Sequence, residues 1–375
     1  MACVYHQQSN TNNMEHKISL INKQRNTNIE LLRLLSMILI VIHHICGQGI
    51  GFQFYCTGGG KIDSVDNWFP VIYTEAFCIV GVNIFLLISG YFGIRLRIKA
   101  IIKYLSVVLA FAIIHSVCES FYNDGITLKH VVRTILFFYS ENTAWFVKCY
   151  FILMLFSFII NKTLEKSTRK QLVTMLAIVL FINVYLGFFK HWPINENGYT
   201  VSQMIMMYVI GHSINAFQIQ TKIQRKYFLF GYLLLSLLLG TLMCLGLDRI
   251  KGKVMFWILS YNNPVIILSS VMLFCFFASF NFKNKIVNSL LSGVFGIYLF
   301  HQYRPFWTYV MIPSIREHYI QMSLESFMLY CSGLILLIIT VGITVNLLIL
   351  NIVNKIINRD GVNQKLFIID NKLSL

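Results

Sequence analysis

Apolar runs long enough to cross a bilayer recur between residues 29 and 350, and short basic or glycine-rich links separate them. A hydrocarbon core about 30 Å thick needs roughly 20 apolar residues in helical form. Only helices or closed barrels satisfy every backbone polar group there. About ten spans can be placed, at 29–49, 70–92, 99–119, 145–160, 171–189, 201–219, 227–247, 264–282, 290–310 and 324–350. The chain is therefore read as all-α, a polytopic transmembrane helical bundle. Its 12% charged residues stand well below the roughly 25% of soluble domains. A polar N-terminal tail, 1–27, is expected to be mobile and cytoplasmic. The membrane domain fills 28–350, and 351–375 is a cytoplasmic tail with an apolar patch at Leu366–Ile369.

The net charge of +16 does not indicate a nucleic-acid partner, because the Lys and Arg residues fall in clusters between apolar spans. With the N-terminus cytoplasmic, 20 of the 31 lie inside and 8 outside. That asymmetry orients the chain N-in and C-in. The cysteines show neither a disulfide framework nor zinc-ligand spacing, although Cys46 and Cys56 both lie near the expected outer face. Residues 120–144 read as an external loop whose apolar stretch, 130–139, is too short to cross.

The first span carries Glu30, Arg33, His43 and His44. Ionisable groups inside a span are expensive and usually line a protein interior or a wet cavity. Arg33 and His44 are three helical turns plus roughly 20° apart, on one face and about 16 Å apart along the axis. Met37 and Ile40 lie between them, and Glu30 is one turn before Arg33, within pairing distance.

Other polar groups interrupt later spans. Asn83 and Ser89 lie in GVNIFLLISGYF, where the small residues also suit helix packing. Glu75 is an acid without an evident partner near the outer end of the same span. Arg95, Arg97, Lys99 and Lys103 form a cytoplasmic basic cluster, able to hold phosphate if it is more than a topology signal. Glu141 and Trp145 flank the outer end of the fourth span, and Tyr298, His301, Gln302 and Arg304 cluster in GIYLFHQYR. The isolated His115, His130, His191, His212 and His318 are read as packing or surface residues.

NIELLRLLSMILIVIHH resembles the first transmembrane helix of the acyltransferase 3 family, integral-membrane O-acyltransferases of bacterial surface glycans. That family has an Arg, ten residues and a His, matched here by Arg33 and His44, with an acid three positions before the Arg, matched by Glu30. GVNIFLLISGYF is similar to its second-helix motif, although Asn83 stands where the family usually has Asp. Arg95 and Arg97 match its Arg-rich link, and WFVKCYFILMLFSFIIN and GIYLFHQ resemble later helices. The resemblance spans about 25–350 and implies the stand-alone form of the enzyme.

The resemblance implies transfer of an acyl group, most often acetyl from acetyl-CoA, to a sugar hydroxyl. No cofactor is expected to stay bound, since acyl-CoA is a donor substrate. Its phosphates would meet Arg33, Arg95, Arg97 and Lys103 at the cytoplasmic mouth. His44 would act with Arg33 and Glu30, either as general base or as acyl carrier. A polysaccharide or lipid-linked glycan would contact His43, Glu75, Asn83, Glu141, Trp145, Tyr298 and His301, with Tyr298 or Asn83 as oxyanion donor. The expected location is the bacterial cytoplasmic membrane. A carrier or flippase for a lipid-linked glycan is the rival reading, using the same polar residues as a path.

Overall fold

The opening of the first helix depends on residues far along the chain. In α1 (Thr27–His44) the Thr27 N–H donates to the Phe282 carbonyl at 2.8 Å and the Asn28 amide donates to the Phe277 carbonyl at 2.9 Å. The Asn284 N–H in turn donates to Thr27 Oγ1 at 2.6 Å. These contacts satisfy backbone groups that the ends of helices leave open. The structure is a computed structural model and describes residues 26–52, 68–120, 145–195, 197–249, 257–302 and 307–372.

Seven helices among the described residues are long and apolar enough to cross a membrane. The first is α1 with its extension to Ile50, and the second joins α2 (Phe69–Cys78) to α3 (Gly81–Phe92). Next come α4 (Ile98–Ser120), α5 (Trp145–Lys166) and α6 (Arg169–Leu180), the last prolonged by a π-helical stretch to Phe189. A reciprocal capping box between Thr168 and Gln171 starts α6. The chain then forms α7 (Val201–Ala216), α8 (Arg225–Arg249) and α9 (Pro264–Ala278). A short α10 (Lys285–Leu290) and α11 (Phe295–His301) lead to α12 (Ile312–Gln321), α13 (Leu324–Ile357) and α14 (Asp360–Lys372).

The three other expected spans are shorter or broken. Both α7, with 16 residues, and α9, with 15, begin at side-chain caps, Thr200 and Asn263. The 290–310 stretch divides into a 3₁₀ turn, α11 and a π-helical turn, Trp307–Met311. The C-terminal segment, expected as a polar tail with an apolar patch, is largely helical. There α13 runs to Ile357 before α14 folds back, so that Leu366 is buried. The first 25 residues, the 130–139 stretch, Cys56, Glu141 and Arg304 lie outside the described residues. Cys46 is a buried free thiol.

At the centre is the α2–α3 span, 78% buried over its most apolar window, whereas α13 is 17% buried and presents Leu329, Leu336 and Ile352 outward. Small residues let α3 approach its neighbours, since a β-carbon on Gly90 would overlap the Tyr208 carbonyl of α7. Against α3 pack α1, α7 and α9, while α11 lies between α1 and α13. This arrangement sets the polar face of α1 against α2 and α11. The chain is a multi-pass membrane protein of helical-bundle architecture.

Candidate active site

The polar face of α1 is partly enclosed, with the Arg33 side chain 30% exposed. Met37 and Ile40 are buried, and so is Glu30, at 3% exposure. Arg33 Nη1 donates to both oxygens of Glu30, at 3.0 and 3.2 Å, as the i,i+3 spacing leads one to expect. This uses one nitrogen of the guanidinium fork and leaves other donors for an anion.

At the other end, α1 passes into a π-helical turn, Ile45–Ile50, which ends at Gly51 with φ of 99°. Such turns are frequent at functional sites. The turn directly follows His43 and His44, whose ring centroids are 5.1 Å apart. Beside it, Ile315 of α12 packs close to Gly49.

The two histidines have different partners. His43 Nδ1 lies 2.6 Å from Oε2 of Glu75, which is fully buried on α2. Glu75 is thus paired, in contrast to the sequence expectation, because the rotational setting of α2 turns it towards α1. Its other oxygen, Oε1, is buried with no hydrogen-bond partner among the described residues. The His44 ring meets α11 and its C-terminal cap instead. His44 Nδ1 is 3.3 Å from His301 Nε2, and Gln302 Nε2 is 3.0 and 3.2 Å from the two His44 nitrogens.

Hydrogen-bond direction sets the His301 tautomer. His301 Nδ1 lies 2.7 Å from the Ile297 carbonyl, which can only accept, so this nitrogen carries the hydrogen. In the neutral ring His301 Nε2 is then an acceptor, and it faces His44 Nδ1. In the tautomer that satisfies His301, His44 carries its hydrogen on Nδ1 and keeps a lone pair on Nε2, whereas the nearer Gln302 amide would favour a lone pair on Nδ1. With the hydrogen on Nδ1, Nε2 has the lone pair that a general base requires.

The structure gathers some expected residues and separates others. His43, His44, Glu75 and His301 form one cluster, with Tyr298 5.9 Å from His301 between ring centroids. Both nitrogens of His301 are occupied, so it orients His44 rather than facing open space. Asn83 is 0% exposed; its amide donates to the Tyr261 carbonyl at 2.9 Å and accepts from Gln203 at 3.1 Å. That gives it a role in packing around the non-helical stretch before α9. Trp145 joins an aromatic cluster, 4.8 Å from Tyr199 and 5.8 Å from Tyr261 between ring centroids. Sequence reasoning missed Trp307, 6.0 Å from His44, whose buried indole N–H has no partner among the described residues. A Trp just beyond HQYR was its only signal.

Arg95 and Arg97 are exposed on the link between α3 and α4 and form no ion pair with a described residue, while Lys103 is partly buried on α4. The link itself is fixed. The Ile94 N–H donates to Tyr208 Oη at 2.7 Å, Asn161 donates to the Ile94 carbonyl at 2.9 Å, and Gly93 takes φ of 73°. Beyond it, Asp370 of α14 accepts from the Ile98 N–H at 2.8 Å and Asn363 accepts from Lys99.

No curated protein and no solved structure matches the chain. The family model described as "Acyltransferase domain" matches residues 26–346, which include α1 with its Arg33–His44 face, the basic link and most of α13. With these elements assembled around one partly buried polar face, the chain belongs to the acyltransferase 3 family and is a membrane acyltransferase.

Proposed function

We propose that the protein is an O-acetyltransferase that moves acetyl from acetyl-CoA to a hydroxyl of a cell-surface or lipid-linked polysaccharide. The observation that carries this reading is the polar face of α1, with an arginine at one end and an imidazole held by His301 and Gln302 at the other. Arg33, Arg95, Arg97 and Lys103 would hold the donor phosphates, and the pantetheine arm would bring the thioester towards His44. His44 Nε2 would take the hydroxyl proton, a task suited to an imidazole near neutral pH. The reading places 28–350 as the catalytic domain in the bacterial cytoplasmic membrane, with both termini inside.

Mass spectrometry of the surface glycan from matched strains with and without the protein tests the reaction. The expected shift is one acetyl per modified hydroxyl. A polymer exported normally but without its ester in a His44→Ala strain supports the enzyme. Loss of export with the ester intact on the remaining polymer would instead support a glycan carrier.

Orientation has its own test. In a background without native cysteines, Gln321→Cys, exposed at the C-terminal end of α12, should react with an impermeant thiol reagent on intact cells. Thr168→Cys, before α6, should react only after permeabilisation. The reverse pattern would put Arg33 on the wrong side for a cytoplasmic donor.

A further inference from the structure

We propose that His43 is the oxyanion donor of the reaction and that Glu75 is the positioning residue that keeps a hydrogen on its Nε2. This rests on the acyl-transfer reading above and deepens it. Glu75 is 0% exposed, and His43 is the one ion-pair partner it has among the described residues. A buried carboxylate with no compensating charge costs several kcal/mol, so the pair is held electrically neutral. Neutrality leaves three arrangements, and the one with hydrogens on Glu75 Oε1 and His43 Nδ1 is disfavoured because that buried Oε1–H would have no acceptor among the described residues. Two remain. Either Glu75 is ionised and His43 carries hydrogens on both nitrogens, or Glu75 is protonated and donates to His43 Nδ1, which leaves the single ring hydrogen on Nε2. In both, His43 Nε2 is a donor.

His44 is the opposite case. In the tautomer that satisfies His301, its Nδ1 hydrogen faces His301 Nε2 and its own Nε2 offers a lone pair. Adjacent imidazoles, 5.1 Å apart between centroids, thus present one donor and one acceptor. Environments that separate two titratable groups in this way assign their acid and base roles.

The step balances. The acceptor hydroxyl oxygen bonds to the thioester carbon while His44 Nε2 takes its hydrogen. The carbonyl π pair moves onto oxygen, and His43 Nε2–H donates a hydrogen bond to that oxyanion. As the carbonyl re-forms the C–S bond breaks, the pair leaves on sulfur, and sulfur takes the proton from His44. The products are the ester and the free thiol, with both histidines restored.

The test joins kinetics with ¹⁵N NMR of the histidine-labelled full chain in nanodiscs at neutral pH. Loss of an oxyanion donor typically costs about 10²–10³ in kcat, and His43→Ala should fall in that range with the acetyl-CoA KM within a few-fold of wild type. His43→Gln, which keeps an N–H, should recover about tenfold of that loss, whereas His44→Gln should recover nothing. The resonance missing from His43→Gln should show a hydrogen on Nε2 in the wild type, and Glu75→Leu should weaken it. Trp307→Phe, which removes the site's other unpartnered donor, should stay within about tenfold of wild type. An unprotonated His43 Nε2 in the wild type would overturn the proposal. So would a greater loss in Trp307→Phe than in His43→Ala, or an active His44→Ala beside an inactive His43→Ala. Wild-type protein that releases no coenzyme A thiol under any acceptor would overturn the enzyme reading itself, a result that the NMR measurement keeps separate.

Discussion

Replacing His44 with alanine should lower acyl transfer by about 10³-fold, within the 10²–10⁴ that a positioned general base contributes. The protein should stay folded. His44 is only partly buried, and the variant deprives His301 Nε2 and the Gln302 amide of one hydrogen-bond partner each. Lost partners of that kind cost on the order of 1–3 kcal/mol, less than the stability of most domains. The loss should appear in turnover, with the acetyl-CoA KM little changed, because the base acts in the transition state. Release of coenzyme A thiol from purified protein, beside a thermal unfolding curve, makes the comparison. Wild-type turnover in a folded His44→Ala variant would remove His44 from the chemistry.

The second large effect should fall on the donor. Arg33→Lys keeps the charge but loses the planar fork, which meets Glu30 and, on the proposed function, would also meet a donor phosphate. A charge-assisted hydrogen bond contributes about 1.5–3 kcal/mol, so its loss should raise the acetyl-CoA KM about 10- to 100-fold. Arg95→Ala and Arg97→Ala, exposed on the link, should each give a smaller rise. That rise should shrink with added salt, since exposed charges are screened within about 10 Å at 0.1 M. A fall in kcat with KM unchanged would mean that Arg33 serves the chemistry and not the donor. Glu30 separates the two roles further. Its removal leaves Arg33 without its anchor, so Glu30→Gln should resemble Arg33→Lys in KM.

Much of the architecture was legible because the bilayer leaves few choices. A run such as 324–350 has no soluble alternative, and α13 follows it and continues to Ile357. The Arg33–His44 face was legible for the same reason, since helical periodicity fixes which residues of one span share a side. Contacts between spans were not legible. Glu75 looked unpaired because nothing within α2 says which way the helix is rotated, and its partner comes from α1. His301 is 257 residues from His44, so its contact with the His44 ring depends wholly on assembly. Asn83 looked like a substrate contact because it interrupts an apolar run. The structure uses it to serve the Tyr261 carbonyl, left without a helical partner by the break before α9. A polar residue in a span is thus ambiguous from sequence: it can serve a ligand, or it can serve backbone that the fold has left open.

The bonds at the start of α1 also have a consequence during synthesis. Thr27 and Asn28 emerge from the ribosome early, yet their partners, Phe277, Phe282 and Asn284, are about 250 residues later in the chain. At roughly 5–20 residues per second, the first helix waits on the order of ten to fifty seconds for them. Over that interval Glu30 and Arg33 can pair with each other, one turn apart on the same helix. Their pairing is local and needs no later segment, so α1 can enter the membrane early as a neutral unit. A Glu30→Lys variant would lack that local neutralisation. Its defect should therefore appear in the insertion of nascent chains, before any measurement on mature protein.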